Sequence, residues 1–313
     1  MNKDTLVLAH YYTIPEVQEM ADFVGDSLEL ANKAKELKPD RIVFAGVRFM
    51  AETAKMLVPE AEVILPSRDA SCSLVEQTDF AALKRWDNEH RANNAEYGYN
   101  TTHVMYINSS VEMKSLADVV VTSRNVDDVV KSEIEKGNKV IFSPDRNMGA
   151  YLNYQYGYDM PTWTAVCEVH DKFKEAEINQ AMNSWSDGPK YLIAHPESPL
   201  PVLKRADMVG STSKMLQFIK DLPVTISTKI IVYVATEDGL LYNMKKARPD
   251  VDIRQAPTYT GCQCNSCPFM KQNTIELVKA AIKGTAGVKI DYLTDKMIAA
   301  AIRPVERMME YKQ

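Results

Sequence analysis

Three stretches decide the architecture: Ala21-Asp-Phe-Val-Gly-Asp-Ser27, Ala117-Asp-Val-Val-Val-Thr-Ser123 and Ala206-Asp-Met-Val-Gly-Ser-Thr212. They recur at intervals of about 90 residues, and self-similarity at a near-constant interval marks a repeated unit. Each ends in Ser or Thr just before a helical pattern, so Ser27, Ser123 and Thr212 are N-cap candidates. Working outward, short β-branched runs alternate with amphipathic stretches: Leu6–Ala9, Arg41–Ala45, Glu62–Leu65, Val104–Ile107, Asp118–Val121, Lys139–Phe142, Tyr191–Ala194 and Lys229–Val234. That alternation predicts an α/β protein of three-layer αβα domains, each with a small parallel sheet. The repeat predicts three such units around a pseudo-threefold axis, spanning 1–84, 85–172 and 173–313, the last with a C-terminal helical extension.

Composition agrees with a folded globular chain. The 313 residues are 45% hydrophobic and 25% charged, with only 12 Gly and 15 Pro, which excludes collagen-like and disordered classes. A net charge of −5 and a pI near 5.7, without a basic block, offer no footprint for a nucleic-acid backbone. No apolar run approaches the ~20 residues of a membrane helix, and Leu6–Ala9 runs straight into His10-Tyr11-Tyr12 rather than into a signal-type apolar core. The expectation is a cytoplasmic protein. Five cysteines in such a chain argue for buried, metal-bound or catalytic thiols over a disulfide framework.

Each repeated unit opens with a strand running into a polar triplet: His10-Tyr11-Tyr12, Tyr106-Ile107-Asn108 and His195-Pro196-Glu197. His10, Asn108 and His195 are expected at equivalent places. Each unit closes with a cysteine: Cys72, Cys167 and one of Cys262, Cys264 or Cys267. Three like units would point their strand C-termini inward, where α/β sheets place ligands. Three converging thiolates form a soft site suited to an Fe–S cluster, Zn or Cu(I), and a [4Fe–4S] cube held by three of them leaves one iron open to substrate oxygen. A structural zinc at Cys262-Gln-Cys264-Asn-Ser-Cys267, or plain buried thiols, are the alternatives. Three hydroxyl-bearing helix starts aimed at one axis would accept carboxylates or phosphate. His10, His170 and His195, with Tyr12 and Glu197, are candidates for proton transfer.

Ala9-His10-Tyr11-Tyr12, Ala21-Asp-Phe-Val-Gly-Asp-Ser-Leu-Glu-Leu30, Gly46-Val-Arg-Phe-Met-Ala-Glu-Thr-Ala54, Tyr106-Ile-Asn108, His195-Pro-Glu197, Gly210-Ser-Thr-Ser213 and Cys267-Pro-Phe-Met-Lys271 resemble the quinolinate synthase family (quinolinate synthetase A) along nearly the entire chain. The resemblance implies an enzyme of de novo NAD biosynthesis that condenses iminoaspartate with dihydroxyacetone phosphate, giving quinolinate, phosphate and water. It implies a [4Fe–4S] cluster on Cys72, Cys167 and Cys267, and an active site at the junction of three domains. Around the substrates it places His10, Ser27, Tyr106, Ile107, Asn108, Ser123, His195, Pro196, Glu197 and Thr212. By analogy Tyr12 and Glu197 move protons, while His170 and His195 orient or protonate oxygen. An L-aspartate oxidase or dehydrogenase would supply the iminoaspartate. The polar segment 87–103 reads as a surface loop away from the chemistry. A [4Fe–4S] hydro-lyase on a hydroxy acid and a non-catalytic iron–sulfur sensing module are the rival readings.

Overall fold

The computed structural model describes residues 5–184, 188–224, 229–258 and 265–311. Cys262 and Cys264 therefore lie outside the described residues. Twelve strands form three sheets among the described residues. β1 (Thr5–His10), β2 (Phe23–Gly25), β3 (Arg41–Ala45) and β4 (Glu62–Leu65) belong to the first, β5 (Thr101–Tyr106), β6 (Val119–Val121) and β7 (Lys139–Ser143) to the second. The third holds β8 (Lys190–Ala194), β9 (Met208–Val209), β10 (Ile231–Ala235) and β11 (Asp252–Gln255). β12 (Val288–Lys289) returns to pair antiparallel with β4, and all other pairings are parallel.

The orders are β12-β4-β3-β1-β2, β6-β5-β7 and β11-β10-β8-β9. In each, the opening strand lies between the second and third strands of its unit, and a fourth joins the third. The second sheet lacks a full fourth strand, but Thr162 bridges Phe142 in parallel at that place. Both faces of these sheets are covered, so their strands are continuous apolar runs: Val119–Val121 and Ile231–Ala235 are buried throughout.

The Ala-Asp step now has a physical reason. Val7 N–H donates to Asp22 Oδ2 at 3.0 Å, His103 N–H to Asp118 Oδ2 at 2.7 Å and Leu192 N–H to Asp207 Oδ2 at 2.7 Å. Each aspartate's own N–H returns a bond to the same residue's carbonyl, at 2.8, 3.0 and 2.8 Å. The carboxylate closes a strand–helix–strand crossover over 15 residues in all three units. Asp207→Ala leaves the N–H of the fully buried Leu192 without that acceptor, and is expected to cost about 1–3 kcal/mol, measured as a shift of the urea unfolding midpoint at constant slope.

This clasp fixes the register and corrects one expectation. Counting back from Asp22, Asp118 and Asp207, the residues equivalent to His10 and His195 are not joined by Asn108: Tyr106 takes that place. Tyr12, Asn108 and Glu197 form the other equivalent set. The turns after β1 and β5 agree, since Thr13 Oγ1 donates to His10 O and Ser109 Oγ to Tyr106 O, both at 2.9 Å.

The segment 87–103 is not a surface loop. Residues Phe80–Glu96 form a helix, capped by Asp79 through Ala82 N–H, and β5 begins at Thr101. Asp87 and His103 are buried, with His103 Nδ1 2.9 Å from Asp87 Oδ1 and Nε2 2.6 Å from Ser143 Oγ. Arg91 Nε–H is shared between both Asp87 carboxylate oxygens, and Arg91 Nη2 reaches on to Asp118. The Ser143–His103–Asp87 order has the outline of a hydrolytic triad, but Ser143 and His103 have no exposed surface. It ties the helix to the sheet.

The last segment closes the molecule. Helix Asp295–Glu310 packs on β6, where Arg307 donates to Asp118 O and Asn125 Nδ2 to Met308 O. Among the described residues no helix is long and apolar enough to cross a membrane.

Candidate active site

The strand C-termini meet at one cavity. It is lined by His10, Tyr12, Tyr106, Asn108, His195 and Glu197 from the triplets, by Ser27, Ser123 and Thr212, by His170, and by Cys72, Cys167 and Cys267. Two expected residues do not line it. Ile107 packs into the hydrophobic core, and Pro196 borders a neighbouring cleft with Met148 and Gly210.

The three hydroxyls are not the caps they were expected to be. Asp26 caps helix Ser27–Leu37, accepting from Leu28 and Glu29 N–H, and Glu29 completes a capping box. Ser211 caps helix Thr212–Asp221 through Lys214 N–H, and helix Val126–Glu135 starts after Asn125. Side-chain capping thus falls to Asp26 and Ser211, Asn125 makes no side-chain cap bond, and Ser27, Ser123 and Thr212 face the cavity. Ser123 Oγ lies 3.2 Å from His195 Nε2.

A hydrogen-bonded chain crosses the site. Tyr12 Oη is 2.7 Å from Thr236 Oγ1, which is 2.9 Å from His170 Nε2; His170 Nδ1 is 2.7 Å from Glu197 Oε2. An ionised carboxylate only accepts, so His170 Nδ1 donates to Glu197, and in the neutral tautomer this leaves Nε2 to accept from Thr236. Thr236 then accepts from Tyr12, and the chain runs from Tyr12 toward Glu197. His170 Nδ1 is also 3.1 Å from Cys167 Sγ. Thr236, like the cavity-lining Glu237, was not among the sequence candidates. Both directly follow β10, and the strand-end rule that singled out the triplets applies to them equally.

Residues 1–310 match the family described as quinolinate synthetase A protein. A quinolinate synthase of Nostoc punctiforme is 40% identical over 310 residues, covering 98% of this chain and 89% of the relative. That of Trichormus variabilis is 41% identical with the same coverage, and that of Cyanophora paradoxa 38% identical, covering 98% and 88%. This chain belongs to the quinolinate synthetase A family. The family is one of enzymes.

The cavity suits a metal group. Cys72, Cys167 and Cys267 are free thiols from three separate loops, set among Val47, Phe49, Met50, Phe269 and Met270. Burial pushes the Cys267 thiol up to about 12; burial and the charge of the neighbouring cysteines push Cys72 and Cys167 higher still. Thiols so placed become thiolates only with a cation between them. A second donor set overlaps the first: ligand atoms of Cys167, His170 and Glu197 lie within 4.8 Å of one another.

In a quinolinate synthetase A protein the remaining groups are set by burial. His10 is lowered to about 3 by burial and by the charge of His195. Its Nδ1 accepts from Tyr12 N–H at 3.2 Å, which fixes the neutral Nε2–H tautomer. His195 is likewise held at about 3 by burial. Burial alone would raise Glu197, but His170, His195 and bonds from His170 and Tyr106 take it down to about 2. Glu237 is raised to about 8 by burial, against the opposing pull of Lys271 Nζ at 2.7 Å.

For the two histidines the folded value lies below the ordinary 6.5, so between pH 6.5 and about 3 the unfolded chain binds more protons. Stability rises with pH there and falls on acidification, by up to about 1.4 kcal/mol per pH unit for each histidine. Urea unfolding at pH 7.5 and 5 measures the slope, and His10→Asn should make it shallower.

Proposed function

We propose that this chain is a quinolinate synthase, condensing iminoaspartate with dihydroxyacetone phosphate to quinolinate, phosphate and water, with a [4Fe–4S] cluster held by Cys72, Cys167 and Cys267. The observation that carries the reading is the meeting of three thiols from separate loops with the Tyr12–Thr236–His170–Glu197 chain on one cavity. When bound, a cluster with three protein ligands supplies a Lewis-acidic iron that polarises a substrate oxygen. We infer three pseudo-symmetric units, 1–84, 85–172 and 173–313, around that cavity; the recurrent strand order and aspartate clasp support this. The reading also assigns the protein to the cytoplasm, where thiols stay reduced.

The chain's own residues do the rest. No lysine or arginine is among the described residues lining the cavity. Carboxylates and phosphate are therefore received by the Ser27, Ser123 and Thr212 hydroxyls at or near helix starts, with Asn108 and His10. Glu197, ionised, takes a proton as the enamine attacks and gives it back to the departing hydroxyl, which leaves as water, while Tyr12, through Thr236 and His170, donates toward Glu197 and holds it in place. His195, held by Ser123, orients the acidic end of the pocket. Apolar walls exclude water from the imine. A reaction that oxidises the amine of aspartate, by an oxidase or a dehydrogenase, must supply the first substrate.

The test is anaerobic. Purified protein with about four irons per chain, given iminoaspartate and dihydroxyacetone phosphate, is expected to form quinolinate and release phosphate. Turnover of a citrate-like hydroxy acid instead would favour the hydro-lyase, and an iron–sulfur protein inert to both would favour the sensing module.

A further inference from the structure

Each cysteine loop docks on its sheet in the same way. The third residue past β3, β7 and β10 donates its N–H to the carbonyl two residues before the cysteine: Arg48 to Ala70 at 2.9 Å, Arg146 to Ala165 at 2.9 Å, Asp238 to Asn265 at 3.3 Å. The residue just before each donor is Val47, Asp145 and Glu237. The two carboxylates reach the cysteine itself. Cys167 N–H donates to Asp145 Oδ2 at 2.9 Å and Cys267 N–H to Glu237 Oε1 at 3.0 Å. Val47 cannot accept, and the first loop is tied one residue later, where Ser73 Oγ accepts Glu168 N–H at 3.2 Å.

We propose that Asp145 and Glu237 are positioning residues that set the backbone, and so the sulfur positions, of Cys167 and Cys267; this rests on the assignment of the cysteines to an iron–sulfur cluster. Both carboxylates are fully buried beside groups that carry negative charge when they bind metal. Such a placement is electrostatically unfavourable unless the hydrogen bonds it makes are needed. Capping does not explain it. Asp145 caps helix Arg146–Tyr156 with Oδ1, through Met148 N–H at 3.0 Å, while Oδ2 is the atom given to Cys167. Glu237 gives Oε2 to Gly239 N–H at 2.7 Å and Oε1 to Cys267. Outer partners that orient a ligand typically change metal retention by about 10–100-fold when removed.

Paired variants separate reach from charge and cap. Asp145→Ser keeps a capping hydroxyl but falls short of Cys167, whereas Asp145→Asn keeps an oxygen within reach of Cys167 and gives up the cap to Met148. Glu237→Asp keeps a carboxyl beside Lys271 but falls short of Cys267, whereas Glu237→Gln keeps an oxygen within reach of Cys267 and gives up the bond from Gly239. Anaerobic holoprotein is challenged with a ferrous chelator, and iron release is timed alongside visible circular dichroism of the cluster. Asp145→Ser and Glu237→Asp are expected to release iron at least about tenfold faster with an altered spectrum. Asp145→Asn and Glu237→Gln, whose single amide oxygen serves the cysteine N–H at the expense of Met148 or Gly239, should release iron more slowly than the short variants and keep the wild-type spectrum. Release at the wild-type rate from the short variants, or equal loosening by the Asn and Gln variants, overturns the proposal. If Asp145→Ser does not fold, the Glu237 pair decides. Wild-type protein without an iron–sulfur cluster removes the cysteine assignment and this inference together; a wild-type cluster indifferent to all four variants removes this inference alone.

Discussion

Cys167→Ser is expected to yield folded protein with little iron and quinolinate formation lowered by at least about 10³, the equivalent of several kcal/mol of Lewis-acid stabilisation. Cys167 stands at the centre of the cysteine loops. Val166 exchanges bonds with Gln77 at 3.0 and 3.1 Å, Glu168 N–H goes to Ser73, and Val169 O accepts from Asn265 at 2.7 Å. These ties use backbone and neighbouring side chains, not the sulfur, so serine leaves the loop in place. What changes is the donor: a hard hydroxyl replaces a soft thiolate. Iron and sulfide per chain, with the brown absorption, measure the loss. The companion variants decide which donor set holds the metal. Equal loss in Cys72→Ser and Cys267→Ser assigns it to the three thiols; loss confined to Cys167→Ser, His170→Ala and Glu197→Gln assigns it to the overlapping set of Cys167, His170 and Glu197, and the cluster proposal falls.

What could be read from the chain follows from how each feature is enforced. The apolar strands were legible because both faces of a parallel sheet are covered, leaving unbroken runs such as Val119–Val121. Ala-Asp was legible because a carboxylate must sit at one register position to close the crossover, and closure recurs in each unit. Helix Phe80–Glu96 was misread because only Leu83 and Asp87 of it are buried; a polar helix with so narrow an apolar face has the composition of a loop. β11, reading Asp-Ile-Arg-Gln, and the two-residue β12 carry no strand pattern of their own, being defined by their neighbours. The caps were displaced by one or more residues because Asp26 and Ser211 compete with the adjacent hydroxyls, and the shift matters: it leaves Ser27 and Thr212 uncommitted at the cavity. The strand end after β10 marks the position of Thr236, but a lone threonine names no chemistry of its own; only the fold brings Tyr12 and His170 to its two sides.

Glu197→Gln is expected to lower turnover by about 10²–10⁴ while leaving iron content unchanged, if the metal sits on the thiols. The isostere fills the same space, so the loss comes from the proton inventory. Glu197 accepts from His170 and from Tyr106. A glutamine amide offers one accepting oxygen and one donating nitrogen, so it cannot accept from both on separate atoms as the carboxylate does. With its nitrogen toward His170, the imidazole must accept on Nδ1 and carry its proton on Nε2, which then donates to Thr236. The direction of the whole chain from Tyr12 is reversed. With its oxygen toward His170, Tyr106 loses its acceptor, and in neither arrangement is a base present. Thr236→Val interrupts the same chain without touching the carboxylate, and its loss should be smaller. Because both act on one chain, the double variant should fall well short of the product of the single losses. Steady-state quinolinate formation in the four proteins measures this; losses that multiply independently would show that Glu197 works apart from Tyr12, Thr236 and His170.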